Sequence, residues 1–232
     1  MPDQVDYYNH FGVLNRQCIL ACPEPELWTT DYEEKGRVYR EMKNRIRQQQ
    51  ELITAHFSKE DAVLDIGCGF GRQAVMLARN GYIVTGIDTS DVFIGLAQAL
   101  FDKQGYKGNF ICTNIITENK VKHSYTQLLL LDVLEHIKPF QRRIMFKKLY
   151  EIAEPGAVLI VSLPHLKKRT ISQFNNKIRR SITQHLWYFL RKEEHPYPIP
   201  DRDKILQLTK EYFVLDTFTI SPETDYYVFH RS

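Results

Sequence analysis

The stretch Val63-Leu64-Asp65-Ile66-Gly67-Cys68-Gly69-Phe70-Gly71-Arg72 decides the fold of this chain. Its first four residues are mostly apolar, and three alternating glycines follow. Apolar residues at helical spacing then run from 73 to 80. The pattern predicts a buried strand, a tight glycine turn and the start of a helix. Glycine permits positive φ and leaves room for a ligand against the backbone, while the helix start offers N–H groups to an anion. Such a unit is typical of sites for a nucleotide-like cofactor.

The spacing of the glycines narrows the choice of cofactor. Gly67, Gly69 and Gly71 form G-x-G-x-G, whereas a dinucleotide fingerprint needs glycine or alanine at position 72, which is Arg72. The stretch resembles motif I of the class I S-adenosylmethionine-dependent methyltransferases, an apolar pair followed by D-x-G-x-G-x-G. On the glycines alone, a structural turn without a ligand is the alternative.

This resemblance implies S-adenosyl-L-methionine as the cofactor. The glycine turn would line the methionine and ribose moieties, and Asp65 would help to position the methionine amino group. The residues expected to contact the cofactor, along the whole chain, are Asp65, Gly67, Cys68, Gly69, Gly71, Asp88, Thr89, Asn114, Ile115, Leu131, Asp132 and Val133.

A second predicted strand, 82–87, ends at Asp88. A carboxylate at this strand tip can accept hydrogen bonds from both ribose hydroxyls because it offers two oxygens and little bulk. The alternative is a cap for the helix that follows, but Ser90 is available for that purpose.

The next elements continue the alternation of helices and strands. Apolar spacing predicts a helix over 91–104 with Gly105 as its stop, and then a short strand over 109–112. In the resembling superfamily an acidic residue past this strand often binds the adenine amino group. Asn114 stands there in this chain, and its side-chain oxygen can accept the same hydrogen bond, although a plain loop residue is the alternative.

A second motif follows the apolar run 127–131, which suits the centre of a parallel sheet. The block Asp132-Val133-Leu134-Glu135-His136-Ile137 resembles motif IV of small-molecule methyltransferases, similar to those of the ubiquinone and menaquinone groups. This resemblance implies that Asp132 and its neighbouring backbone form a wall beside the methionine.

The rest of the chain completes an α/β fold. We expect a helix over 140–153, a turn over 154–157, a strand over 158–164, a helix from Asp201, and strands over 213–220 and 226–230. A short hairpin between the last two strands requires an antiparallel final strand. The predicted architecture is therefore a Rossmann-like, doubly wound, seven-stranded sheet with an antiparallel last strand, an N-terminal helical lid and a basic helical insertion.

The length of 232 residues suits one methyltransferase domain with four parts. We expect an N-terminal lid or helical region (1–58), a cofactor-binding core (59–163), a helical insertion or cap (164–200), and a last helix with a hairpin (201–232).

The sequence has no apolar run of membrane-spanning length and no signal-peptide pattern at its start. With four cysteines, two of them in the predicted core, a reducing cytoplasm is expected. No second Cys/His pair accompanies Cys18 and Cys22, so no metal is predicted.

Two segments lie outside the sheet pattern. Residues 33–57 have helical apolar spacing, and the aromatic-rich stretches before them either pack on the surface or form a lid over the site. Residues 167–192 hold eight Lys and Arg and no Asp or Glu, with apolar residues at intervals of three and four. This basic amphipathic helix has three interpretations: a solvated cap, a cap that selects an anionic or membrane-bound acceptor, or, less favoured, a contact for nucleic-acid phosphates.

Methyl transfer from a sulfonium needs an acceptor held in line with the methyl group, and a hydroxyl acceptor also needs a base. His136, His165 and His195 are all expected at the carboxyl edge of the sheet, and His136 and His195 are the preferred candidates for that base. The sequence therefore predicts a methyltransferase that acts on an O, N or C atom of a small molecule, either anionic or lipid-linked. An RNA-directed methyltransferase and a non-catalytic partner that binds the cofactor are the alternatives.

Overall fold

A computed structural model describes residues 4–30, 36–121, 124–164, 197–221 and 224–232. The predicted basic helix of 167–192 lies outside these residues, as do His165 and His195.

One seven-stranded sheet forms the centre of the described chain, in the order β3-β2-β1-β4-β5-β7-β6. Strands β1 to β5 pair in parallel, while β7 lies antiparallel to both β5 and β6. The strands are β1 (Ala62–Ile66), β2 (Ile83–Asp88), β3 (Gly108–Cys112), β4 (Tyr125–Leu131), β5 (Ala153–Pro164), β6 (Phe213–Ile220) and β7 (Thr224–Arg231). This confirms the predicted Rossmann-like sheet with its antiparallel last strand.

Helices pack on both faces of the sheet, and their ends follow local sequence signals. They are α1 (Gln4–Ala21), α2 (Arg37–His56), α3 (Arg72–Arg79), α4 (Asp91–Gln104), α5 (Arg142–Ile152) and α6 (Arg202–Thr209). Ser90 caps α4 by accepting a hydrogen bond from the Phe93 amide, and Gly105 ends the same helix at φ +72°.

The core has two layers because successive residues of each strand point to opposite faces. Apolar residues from α1 to α4 pack on the face that holds Val63, Leu129, Ile160 and Val228. Residues from α5 and α6 pack on the other face, against Leu64, Leu128, Leu159, Tyr227 and Phe229. The continuous apolar runs of β4 and β5 are explained by this burial on both sides.

Three local details differ from the expectations. Helix α1 was not predicted, because its apolar residues lack a clear stripe and only Gly12 and Ile19 are buried. The helix expected from 140 begins at Arg142, after a 3₁₀ turn over Pro139–Gln141. The turn expected over 154–157 lies within β5, where Gly156 has φ +78° and the pairing with β4 shifts register.

Helix α1 lies close against α4. A Cβ added at Gly12 would lie 2.7 Å from a methyl carbon of Val92, so only glycine permits this approach. Ser90 at the start of α4 donates a 2.5 Å hydrogen bond to Asn9 of α1. None of the helices in the described part of the chain combines the length and the apolar character that a membrane crossing requires.

We predict that Ser90→Ala will destabilise the fold by about 1–2 kcal/mol, because it removes the α4 cap and the contact with Asn9. Chemical denaturation would measure the change in the free energy of unfolding. Gln98→Ala, at an exposed position of the same helix, is the control and should stay within about 0.5 kcal/mol of the parent. Equal stability of the two variants would contradict the capping assignment.

Candidate functional site

The turn between β1 and α3 depends on three glycines with positive φ: Gly67 at +71°, Gly69 at +53° and Gly71 at +90°. A Cβ at Gly67 would lie 2.5 Å from Val133, and one at Gly71 would lie 3.0 Å from Ala97. These two glycines let the turn approach its neighbours. Gly69 differs, because a Cβ there would meet nothing nearer than the Phe93 ring at 3.9 Å. Space is therefore present beside the middle glycine.

Asp88 at the tip of β2 faces this turn. One carboxylate oxygen accepts a 2.9 Å hydrogen bond from the Gly69 amide, and the other accepts a 2.9 Å hydrogen bond from the Ser90 amide. Ser90, and not Asp88, caps the helix, as expected. Burial raises the pKa of Asp88 above its ordinary value, although the backbone hydrogen bonds oppose that shift.

Asp65 lies buried beneath the turn, and its Oδ2 atom has no hydrogen-bond partner. Burial, followed by repulsion from Asp88, raises the pKa of Asp65 to about 7. The buried Cys68 thiol beside it also has a raised pKa, because of burial and then the charges of Asp65 and Asp88. A buried carboxylate oxygen normally accepts a hydrogen bond or faces a cation. A bound ligand would supply the donor or cation that Asp65 lacks in the protein itself.

The segment after β3 places the residues predicted for adenine. Asn114 is half-buried, and its side-chain oxygen accepts a 3.0 Å hydrogen bond from the Ile116 amide. That oxygen has a second lone pair for a ligand. Ile115 is buried, whereas Thr89 after β2 is exposed. The structure thus places these residues past the ends of β2 and β3, as predicted.

Asp132 at the end of β4 is held in an unusual conformation. Its φ of +56° makes it the one non-glycine residue with positive φ within the described ranges. Its amide donates to the Ser162 hydroxyl at 3.0 Å, and that hydroxyl donates to Asp132 Oδ1 at 2.9 Å. Its other oxygen pairs with Arg45 of α2. Leu131 is buried and Val133 packs against Gly67, so the motif IV backbone lies directly beside the motif I turn.

His136 lies under the N-terminal helix. The Tyr8 hydroxyl is 3.2 Å from its Nδ1 atom, and the Gln4 side-chain amide is 3.5 Å away. Helix α1 thus contacts both the end of β4, through His136, and the end of β2, through Asn9 and Ser90. It therefore lies across the carboxyl edge of the sheet from β2 to β4, and its function as a lid stays a prediction.

Three polar residues of this region were missed by the sequence reasoning. Arg45 was overlooked among the many charges of α2, and Ser162 was read only as part of a strand. Glu135 is fully buried, and neither of its carboxylate oxygens has a hydrogen-bond partner in another residue. A glutamate within the mostly apolar block that follows β4 was the available signal for it.

The comparisons with known proteins agree with this geometry. Residues 63–156 match the family model described as a methyltransferase domain. Over these residues the chain is similar to a methyltransferase domain. The glycine turn and the block from Asp132 to Ile137 both lie within the matched range.

Similar curated proteins include ubiquinone biosynthesis O-methyltransferases. The one from Coxiella burnetii is 34% identical over 100 residues, which cover 43% of this chain and 42% of that protein. The one from Rickettsia canadensis is 32% identical over 121 residues, which cover 51% of this chain and 50% of that protein. The chain thus spans about half the length of these relatives, or less.

Solved structures extend the similarity of fold to almost the whole chain. Magnesium protoporphyrin IX methyltransferase from Synechocystis, with bound S-adenosylhomocysteine (SAH), superposes with a TM-score of 0.66 at 18% identity. The superposition covers 98% of this chain and 97% of that protein. An N-methyltransferase from Bradyrhizobium japonicum superposes with a TM-score of 0.61 at 16% identity. The superposition covers 95% of this chain and 98% of that protein. At these identities the likeness concerns the methyltransferase fold.

We predict that Glu135→Gln will remove part of the pH dependence of stability. Burial raises the pKa of Glu135 from 4.5 to about 7, although a hydrogen bond from its own backbone amide and then the charges of Arg45 and Arg142 oppose the shift. Between these values the folded state binds more protons than the unfolded state, so stability falls as pH rises from about 4.5 to 7. At about 1.4 kcal/mol per pKa unit, ionised Glu135 costs about 3 kcal/mol above pH 7.

Denaturant unfolding at pH 5 and pH 8 would test this. The Glu135→Gln variant should gain stability over the parent at pH 8 and much less at pH 5, because glutamine carries no charge in either case. Glu60→Gln, at an exposed position, serves as the control and should have the parent's free energy of unfolding at both pH values. If parent and Glu135→Gln differ in stability by the same amount at both pH values, the raised pKa of Glu135 is contradicted.

Proposed function

We propose that this protein is an S-adenosylmethionine-dependent methyltransferase that acts on a small molecule. The single observation that supports this most strongly is the space at Gly69, which lies between the Asp88 carboxylate and the Phe93 ring. A side-chain-free backbone facing a carboxylate at the tip of the second strand is the arrangement that a ribose needs.

Three side chains fit different parts of the cofactor. The unpartnered Oδ2 atom of Asp65 would accept a hydrogen bond from the cationic methionine amino group. Asp88 offers two oxygens to the ribose, and Asn114 offers a lone pair to the adenine amino group. When bound, S-adenosylmethionine supplies a methyl group on a positively charged sulfur, which an acceptor atom displaces in line.

The contribution of the chain itself is orientation and exclusion of water. Helix α1 covers the cleft through Tyr8 at His136 and Asn9 at Ser90, and this position shields reactants from solvent. Holding an acceptor in line with the methyl group is worth several kcal/mol of the barrier. For a hydroxyl acceptor, half-buried His136 is the proposed base, and His195 stays a second candidate from the sequence.

For the acceptor atom we favour oxygen, because the curated relatives are named as O-methyltransferases. Nitrogen and carbon acceptors stay open.

The basic segment 167–192 supports two proposals about partners, a membrane surface or anionic acceptor and, less favoured, RNA phosphates. A cytoplasmic location is inferred from the cysteines of the core, where Cys68 is a buried free thiol.

We predict that Asp88→Ala will weaken SAH binding roughly 100-fold, the equivalent of about 3 kcal/mol, because the ribose loses both acceptor oxygens. Calorimetric titration of the purified protein with SAH, with NAD as a negative control, would measure it. Asp102→Ala, on the exposed side of α4, should keep the parent affinity. Unchanged affinity in Asp88→Ala would refute the ribose assignment, and binding of NAD alone would refute the proposed function.

Gly69→Val tests the space beside the turn. The new side chain would occupy the volume proposed for the cofactor, so SAH binding should fall below detection in the same titration. Gly81→Val is a matched control, because Gly81 also has positive φ but nothing lies within 4 Å of its added Cβ. The control should lose stability through backbone strain and still bind SAH. Retained binding in Gly69→Val would exclude the motif I turn as the cofactor site.

A further inference from the structure

Tyr8 of α1 contacts two residues that belong to different parts of the proposed site. Its ring packs against Phe93 of α4, with 5.6 Å between the ring centroids. Its hydroxyl lies 3.2 Å from Nδ1 and 3.3 Å from Nε2 of His136, which follows β4. The rings of Tyr8 and His136 meet edge to face, with 5.7 Å between their centroids. One side chain therefore reaches from α4 to the proposed base.

The contact with Phe93 brings Tyr8 close to the space at the glycine turn. The Phe93 ring lies 3.9 Å from a Cβ added at Gly69, so a ligand that fills this space would lie against that ring. Phe93 also contacts the ring of Phe70 in the turn itself, with 6.1 Å between the centroids. A contiguous series of contacts thus runs from the glycine turn through Phe93 and Tyr8 to His136. Such a series is a physical route by which two sites can influence each other.

The backbone of α1 is held against α4 on the C-terminal side of Tyr8. Asn9 accepts a 2.5 Å hydrogen bond from the Ser90 hydroxyl. Three residues later, Gly12 lies so near Val92 that an added Cβ would be 2.7 Å from it. These contacts follow Tyr8 by one and four residues, so they fix the point from which its side chain extends. A side chain held in this way can orient the group that it contacts.

Gln4 adds a second polar contact between α1 and His136. Its side-chain nitrogen is 3.5 Å from Nδ1. Gln4 lies four residues before Tyr8, so both side chains lie on the same side of α1. Hydrogen bonds at one ring nitrogen decide which nitrogen carries the proton and how the imidazole ring is turned. Helix α1 therefore meets the proposed base with polar groups that can set its orientation.

We propose that Tyr8 is a positioning residue for His136. Its hydroxyl holds the imidazole ring in one orientation, and its ring connects that orientation to a ligand in the space at Gly69. This proposal rests on the proposed function, since it takes His136 as the base and that space as the cofactor site. It goes beyond a covering role for α1, because loss of one hydroxyl would release the base while the helix stays in place. An acceptor whose hydroxyl meets His136 would lie beside Tyr8, between α1 and the segment that follows β4.

Tyr8→Phe tests the hydroxyl by itself, because phenylalanine keeps the ring against Phe93. Heteronuclear NMR of the histidine side chains, at one fixed pH, would measure the two ring nitrogen signals of His136. A His136→Gln variant would identify these signals among the eight histidines of the chain. In ligand-free protein, Tyr8→Phe should move both signals toward those of a free imidazole, because the hydroxyl no longer fixes the ring.

The second measurement is the response of the same signals to SAH. In the parent, saturating SAH should displace the His136 signals through Phe93 and Tyr8. In Tyr8→Phe this displacement should fall by at least half, while the affinity for SAH stays within about threefold of the parent because the ring contact is kept. A tyrosine that only supported the fold would lower Tm and leave the response to SAH unchanged.

Tyr39→Phe is the matched control. Tyr39 is also half-buried and lies in α2, where its hydroxyl donates a 3.0 Å hydrogen bond to Glu24. The variant therefore loses a tyrosine hydroxyl and its hydrogen bond at a position away from His136. The His136 signals and their response to SAH should stay at the parent values.

The outcomes separate this proposal from the proposed function. Unchanged His136 signals in ligand-free Tyr8→Phe would overturn the positioning role. A parent that binds SAH without any change at His136, or an equal response in parent and Tyr8→Phe, would overturn the connection to the cofactor site. Failure of the parent to bind SAH would instead overturn the proposed function, and the ligand-free spectra would still decide whether Tyr8 positions His136.

Discussion

The close approach of two backbone turns is the constraint on which the rest of this structure depends. The turn after β1 must pass so near the turn after β4 that a Cβ at Gly67 would lie 2.5 Å from Val133. Glycine is needed there, both for that contact and for positive φ. These two turns end neighbouring central strands of the sheet, where the direction of the chain connections reverses. Open α/β sheets bind ligands in the crevice at this point.

The two N-terminal helices, α1 and α2, cover different parts of that crevice. Helix α1 contacts the segments that follow β2 and β4, through Asn9 and Tyr8. Helix α2 covers the other half of the edge through the ion pair of Arg45 with Asp132. The first helix therefore covers the proposed cofactor cleft. The second fixes the Asp132 side chain, whose one carboxylate oxygen accepts from the Ser162 hydroxyl while the other pairs with Arg45.

Two buried carboxyl groups, those of Asp65 and Glu135, carry a free-energy cost that packing alone does not explain. Both have carboxylate oxygens without a hydrogen-bond partner in another residue. Asp65 lies near the end of β1 and Glu135 follows β4, so both lie near the carboxyl edge of the sheet. Proteins accept a local cost of this kind where a site must be ready for a ligand. The position of Asp65 supports placing the proposed cofactor at that edge.

The sequence by itself determined the order of strands and helices, the antiparallel last strand and the position of the glycine turn. These features follow from local rules: alternation of apolar residues, glycine at positive φ, and Ser90 and Gly105 at helix ends. It did not determine helix α1, whose contacts with α4 combine the close approach at Gly12 with the rings of Tyr8 and Phe11 packed against Phe93. Nor did it indicate Arg45 as the partner of Asp132, because the two residues are 87 positions apart in the chain and meet only where α2 crosses the sheet. Whether such a polar residue is paired or left unpartnered is decided by neighbours distant in sequence, and only the tertiary structure brings those neighbours together.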